Sequence, residues 1–318
     1  MAYAERVNLA IDHVVGHLGE PLRLADVARA ARLSPFHLHR VFQVLVGETL
    51  AGFVKRLRLE RALVLMAHAP PPHRAQNARR GPRPRSSLTT IALKCGFSSS
   101  SDFSRCFKQR YGTAPSAFDI KGWRAAHGSE LQATVPEPAR STSAGPAGRA
   151  RHLGGLPPAH NPDGFRVKIR DLPARTVAYI RVLDPYRGDA VAKATQRLIT
   201  WAERHALADG QWLGYQWDNP EITSLEDCQY YVAVEAERFV PSGEIGRFRF
   251  PPMIVAQVEV RGGIDLELRA LQWLYGTWLP RSGYVPDDHP GFEAWIGRPF
   301  AHGTEHFELY AQLPIQRG

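Results

Sequence analysis

The sequence predicts two domains of different class: an all-α N-terminal domain with two helix-turn-helix units, and an α+β C-terminal domain. In the second, two β-α-β-β repeats would form an antiparallel sheet carrying two helices. Three observations predict this. A helix-turn-helix pattern at 24–43 recurs at 90–109. Beyond residue 164 strand-like apolar runs alternate with helical ones. Between the two regions, 127–163 is rich in Pro, Gly, Ala and Ser, a composition suited to a flexible linker and not to a core. The expected domains are therefore 1–126 and 164–318.

The first unit reads LADVARAARLSPFHLHRVFQ from Leu24. Leu24, Val27, Ala28 and Ala31 recur at helical spacing and give one short helix an apolar face. Leu33 falls in a tight turn. Ser34-Pro35 then starts a second helix, with a capping hydroxyl followed by proline where its missing N–H costs nothing. That helix buries Leu38, Val41 and Phe42 and leaves Phe36, His37, His39, Arg40 and Gln43 outside. A short helix with an aromatic ring, imidazoles and a guanidinium near its N-terminal end suits the major groove of DNA.

The second unit, TIALKCGFSSSSDFSRCFKQ from Thr90, repeats the design. Ile91, Ala92 and Cys95 form the first face, Gly96-Phe97 the turn, and Ser98 or Ser99 the cap. Phe103, Cys106 and Phe107 face inward, while Ser100, Ser101, Asp102, Arg105 and Lys108 stay outside. The tails match as well: Phe42, Gly47 and Phe53 correspond to Phe107, Gly112 and Phe118. Between the units KRLRLERALVLM reads as one helix with Leu57, Leu59, Ala62, Leu63 and Met66 as its core stripe. Two such readers joined by a rigid helix would enter successive major grooves about 34 Å apart.

These residues, with GETLAGFVKRLRLERAL and the closing Tyr111-Gly112 and Pro115-Ser116, resemble the AraC/XylS family DNA-binding domain over residues 6–124. The resemblance implies base-reading positions at Phe36, His39 and Arg40 in the first unit and Ser100, Ser101 and Arg105 in the second. Gln43 and Lys108 share the same outer faces. One departure is AHAPPPHRAQNARRGPRPRSS, within 67–87, which is longer than the family's short turn. Its five prolines and Arg74, Arg79, Arg80, Arg83 and Arg85 predict a mobile basic loop. Such an insertion calls the fixed angle between the readers into question.

Charge points independently to a polyanionic partner. Residues 1–126 hold 20 Lys+Arg against 8 Asp+Glu, whereas 164–318 hold 17 against 20. The overall +9 is thus a basic N-terminal region followed by a mildly acidic one, the electrostatic footprint of phosphate binding at one end only. No run of eighteen apolar residues exists to span a membrane. The N-terminal segment is an amphipathic helix (Val7, Ala10, Ile11, Val14, Leu18) and not a signal peptide. Cys95, Cys106 and Cys228 are three in number, and two of them lie on inward helix faces, so they read as core thiols and not as a disulfide framework or zinc site. The expected location is the cytoplasm, with no membrane role and no cofactor.

In the C-terminal region FRVKIRDLPARTVAYIRV and FRFPPMIVAQVEVRG read as strands, followed by helices at 188–205 and 264–279. Each helix leads to two more strand candidates, 211–217 and 228–235, then 292–296 and 306–315. A groove between the two halves is the expected ligand site. The landmarks LGYQWDNPEIT, DCQYYVAVE, LQWLYGTWLPRSGY, HPGFEAWIGRP and FELYAQLPI resemble the GyrI-like, or bacterial effector-binding, domain over 165–316. The resemblance implies a cleft for aromatic, often cationic, small molecules. Tyr215, Trp217, Trp273, Tyr284, Trp295 and Tyr310 are the candidate aromatic walls, and Glu293 the candidate counter-charge for a cation.

Two other constellations carry less. His302 and His306 have helical metal-ligand spacing, but Gly303 interrupts them and no third ligand is evident beyond Glu305 or Asp287-Asp288-His289, so no metal site is expected. The Ser98–Ser101 run lacks a base motif, so no catalytic residue is expected there. The predicted function is a sequence-specific transcription regulator whose partners are double-stranded DNA, a small effector and, as a further candidate, RNA polymerase. The alternatives are a C-terminal hydrolase using Glu293 with Tyr284 or Tyr215, and a module that binds a protein partner.

Overall fold

The computed structural model describes residues 3–67, 87–124, 126, 161–218, 223, 225–287 and 289–317. The inserted loop and nearly all of the linker lie outside these residues. The chain divides into two compact units, Ala2–Trp123 and Arg124–Gly318.

The first unit is helical: α1 (Tyr3–Gly16), α2 (Leu24–Ala30), α3 (Pro35–Val46), α4 (Leu50–Ala67), α5 (Leu88–Lys94) and α6 (Ser100–Tyr111). The two helix-turn-helix units are built by the same bonds. In the turns Leu33 N–H donates to Ala28 and Phe97 N–H to Ala92. At the caps the Ser34 hydroxyl accepts from His37 N–H and that of Ser99 from Asp102 N–H. Gly47 (φ 86°) and Gly112 (φ 78°) close α3 and α6 in the left-handed region. Behind them Phe42 meets Phe53 and Phe107 meets Phe118, each pair edge to face.

Four apolar expectations fail locally; one is Leu18, which lies beyond the end of α1 at Gly16 and is half-buried. Leu24 is 43% exposed because it opens α2 at the surface. Val41 and Met66 are only half-buried.

The two turns differ in one instructive way. The left-handed residue is Arg32 (φ 54°) in the first unit and Gly96 (φ 84°) in the second. A Cβ on Gly96 would stand 2.5 Å from the Leu18 carbonyl oxygen and 2.8 Å from Arg58 Nε. Glycine is required there by close approach as well as by φ. Those neighbours form a clasp: Arg58, on α4, donates to Leu18 O at 3.0 Å and Glu20 O at 2.7 Å. The segment between α1 and α2 is thereby held against the turn of the second unit. The two readers are joined through this contact as well as through α4.

The second unit contains β1 (Lys168–Leu172), β2 (Arg175–Leu183), α7 (Ala190–Arg204), β3 (Trp212–Tyr215), β4 (Gln229–Glu235), β5 (Gly246–Phe250), β6 (Met253–Gly262), α8 (Ile264–Trp273), β7 (Tyr284–Pro286), β8 (Phe292–Trp295) and β9 (Phe307–Arg317). After α8 the chain continues through a π-turn, Leu274–Trp278, and a last helical turn, Leu279–Ser282. Each repeat is therefore β-β-α-β-β, one strand more than expected, with β7 added. Pro173-Ala174 and Pro251-Pro252 split what the sequence presents as single strands.

The sheet is antiparallel in the order β1-β6-β9-β8-β3-β4-β2-β5, with β7 on β9. This order reads the same from either end once β1–β4 are matched with β5, β6, β8 and β9. The halves meet at the β3–β8 pair. Neither proline corner makes a hairpin: β1 pairs with β6 and β5 with β2, so each repeat lends its first strand to the other. A two-residue corner spans at most about 11 Å between flanking Cα atoms, yet β1 and β2 stand six strand spacings apart, about 29 Å in a flat sheet. The sheet must curl. Phe250 on β5 accordingly lies 5.0 Å from Phe292 on β8, four strands away.

The curl gives the sheet two buried faces. Its inner face packs Val177, Tyr179, Leu213, Tyr215, Tyr231, Phe250 and Phe292 against one another. The outer face carries the helices, with α7 on β2 and β4 and α8 on β6 and β9. The β3–β8 seam thus runs between the two helices.

Candidate functional site

On the DNA-binding side, Phe36, His39, Arg40 and Gln43 all project from α3 and are exposed, Phe36 at 72%. An apolar ring so exposed near a helix start, with the Arg40 guanidinium 5.9 Å from its centroid, is poised for a partner and not for the core. On α6 Ser101, Arg105 and Lys108 are exposed and Ser100 half-buried. Arg105 donates to Asp102 at 2.8 Å, and that bond holds the Asp102 carboxyl below its ordinary range. Ser98 donates to the other Asp102 oxygen. Asp102 therefore fixes where Arg105 starts before any contact is made.

On the ligand side, side-chain alternation divides the expected residues between the two sheet faces. Glu293 and Trp295 on β8 point to the helix side, where Trp273 and Tyr284 also pack. Tyr215, Trp217 and Tyr310 belong to the inner face. Tyr215 stacks on Tyr231 at 4.8 Å, and Trp217 packs on Phe248 and Phe250. The seven residues do not line one cleft, and this corrects the single aromatic wall expected from sequence. Trp295 is itself committed to packing against Phe300 and Phe307. Tyr284 lies against Trp278, beside the π-turn.

The groups that do surround Glu293 come from three elements. Tyr230 on β4 donates its hydroxyl to Glu293 Oε2. The charge of Glu293 also bears on Glu267, a carboxyl of α8 that is 3% exposed. Between β4 and β8 lies Gly214 of β3, where a Cβ would collide with both the Tyr230 hydroxyl and Glu293 Oε2. Glycine in this strand removes the side chain that would otherwise separate them. Burial pushes Glu293 up to about 7, with the Tyr230 hydrogen bond pulling the other way. Burial, then the charge of Glu293, raises Glu267 and Tyr230 well above their ordinary values. Trp273 adds a buried indole N–H with no hydrogen-bond partner among the described residues.

Sequence reasoning identified Glu293 but paired it with the wrong tyrosines. Tyr215 is on the opposite face and Tyr284 is engaged with Trp278; the phenol on Glu293 is Tyr230. Glu267 was missed because α8 reads as an ordinary amphipathic helix with an acidic first turn. The available signal was Gly214, an isolated glycine within a strand.

Among the described residues no group of three or more His, Cys, Asp or Glu could hold a metal, and no helix is long and apolar enough to cross a membrane. His302 and His306 flank Glu308 at 3.9 and 3.8 Å. The three cysteines are buried, and no disulfide forms among the described residues.

Comparison with known proteins places both units. Residues 165–316 match the GyrI-like small molecule binding domain, and residues 27–119 match a helix-turn-helix domain of AraC type. The chain is 34% identical over 162 residues to a DNA gyrase inhibitor of Edwardsiella piscicida, covering 48% of this chain and 99% of that protein. It is 30% identical over 118 residues to the uncharacterized HTH-type transcriptional regulator YbfP of Bacillus subtilis (strain 168), covering 37% of this chain and 35% of that one. Among solved structures, the DNA-binding domain of AdpA in complex with a target DNA is 20% identical, with a TM-score of 0.30 over 38% of this chain and 96% of that one. The chain therefore belongs to the GyrI-like family through its C-terminal domain and carries an AraC-type DNA-binding domain at its N-terminus.

Proposed function

We propose that the chain is a transcription regulator that reads two successive major grooves and responds to an aromatic organic cation. The observation that carries the effector class is the buried Glu293 carboxyl at the β3–β8 seam, with the Tyr230 hydroxyl on it and Trp273 and Tyr284 on the same face. Among the described residues no cationic side chain pairs with this carboxyl, and a planar cation supplies a counter-charge while stacking on indole and phenol rings. The DNA-reading residues in this account are Phe36, His39, Arg40 and Gln43 on α3 and Ser100, Ser101, Arg105 and Lys108 on α6. The effector acts by binding one DNA-binding state of the protein better than the other. RNA polymerase is a further partner of such a regulator, and the cytoplasm its place of action.

The reading is tested by selecting DNA sites from a random pool with the full-length chain and measuring N-methylacridinium binding by fluorescence. Selection of a bipartite site, and cation binding that Glu293→Gln weakens at least tenfold, support it. A pool that stays random, or a Glu293→Gln protein that binds as the wild type does, contradicts it.

A further inference from the structure

We propose that Tyr3 of α1 and His37 of α3 together grip one backbone phosphate of the DNA, at the edge of the groove that α3 enters. The contact fixes the register of the first reader and carries no base preference of its own. The inference rests on the reading of DNA by α3 given above. It adds a partner atom, two residues and a difference between the two half-sites.

Tyr3 opens α1 and is 51% exposed, and His37, in the first turn of α3, is exposed as well. The Tyr3 hydroxyl stands 3.4 Å from His37 Nε2, and the two ring centres are 5.6 Å apart. Both groups can donate a hydrogen bond. An oxygen about 2.8 Å from each closes a triangle on that 3.4 Å base, so one phosphate oxygen can accept from both. A second contact brings the phenol to this place. One turn further along α1, Arg6 donates to the Arg32 carbonyl at 3.0 Å, and Arg32 is the left-handed residue of the turn before α3. That bond pins the start of α1 to the end of the first unit that carries Phe36 and Arg40.

The second reader is built differently at the matching place. His37 and Asp102 correspond, because each backbone N–H is the one accepted by the serine that caps its helix. Arg40 and Arg105 then correspond too, each three residues on. In α6 the Asp102 carboxylate accepts from Arg105 at 2.8 Å and from the Ser98 hydroxyl, and its negative charge opposes a phosphate. In α3 the same position is an imidazole beside Tyr3, and Arg40 has its guanidinium 5.9 Å from the Phe36 ring centre instead. α1 packs on both α2 and α3, and in a helix-turn-helix the helix ahead of the recognition helix crosses the DNA backbone. Exposed donors on that flank meet phosphate oxygen and not base edges. The grip therefore belongs to the first half-site, and the second has a held arginine in its place.

The test uses the full-length chain and a site selected from random DNA, prepared as a set of duplexes that each carry one methylphosphonate in place of a phosphate. Tyr3→Phe removes a single oxygen and keeps the ring beside His37, so it leaves the fold intact. Tyr3→Phe and His37→Ala should each weaken binding to unmodified DNA about threefold to tenfold, the range for one neutral hydrogen bond. The factor should be the same on selected and unselected DNA, with the base preference of the selected site unchanged. At one methylphosphonate position flanking the first half-site, the wild type should lose at least threefold more affinity than Tyr3→Phe loses. Tyr3→Phe binding as tightly as the wild type would overturn the proposal. So would a changed preference at a single base, or methylphosphonate losses equal in the two proteins at every position. A wild-type protein that selects no DNA site would instead remove the DNA-reading account beneath it.

Discussion

Arg105 and Arg40 act at the scale of single contacts. Each sits on an exposed recognition face, and a guanidinium bonded in two places to a base edge discriminates by about 1–3 kcal/mol. Arg40→Ala and Arg105→Ala should each weaken binding to a selected site by that amount in a gel-shift titration, with relaxed preference at the contacted base. Asp102→Asn should change preference at the Arg105 position while leaving α6 capped by Ser99.

The buried carboxyls make a second prediction at this scale. Glu267 and Glu293 titrate higher in the fold than in the unfolded chain. The Glu293 contribution to stability is full below about pH 4.5 and is lost as pH rises through 7. Tryptophan fluorescence reads this directly, because six of the seven tryptophans lie in the C-terminal unit. Melting should fall with pH in the wild type and fall less in Glu293→Gln.

At the scale of elements, the helix-turn-helix units were legible almost residue by residue. Local signals specify them: a Ser-Pro start, paired Phe positions, glycine beyond each recognition helix. The α4 stripe was legible too, except that Arg56 and Glu60 are buried within it as an ion pair with a further bond to Glu48. No periodicity rule anticipates a buried charge pair.

What sequence could not place was pairing between distant segments. The Arg58 clasp joins residues forty positions apart. Its loss should matter for spacing more than for contact: Arg58→Ala should bind each half-site as well as the wild type does and discriminate less between bipartite sites of altered spacing. Gly96→Ala should destabilise the N-terminal unit by a few kcal/mol, since both φ and the Leu18 carbonyl oppose a Cβ.

At the scale of the whole molecule, the fold class and the order of domains were readable from composition, charge and hydrophobic period. The curl of the sheet was not. It follows from two proline corners that send β2 and β6 away from the strands preceding them, and that exchange is invisible until the strand order is known. The same curl carries Tyr215, Trp217 and Tyr310 to the inner face and leaves Glu293 at the seam with Tyr230 and Glu267. The aromatic residues were correctly recognised as a class but could not be sorted by face without the pairing register. The basic N-terminal region also makes a molecule-scale prediction: affinity for any DNA should fall steeply with added salt, by counterion release.

The central claim, that one chain couples an operator to the buried Glu293 carboxyl, is tested most directly by fluorescence anisotropy of a labelled selected site, titrated with the full-length protein with and without saturating N-methylacridinium. The account predicts that the cation shifts the DNA affinity of the wild type by about fivefold or more, in either direction, and leaves that of Glu293→Gln unchanged. A DNA affinity that is the same with and without bound cation would contradict it.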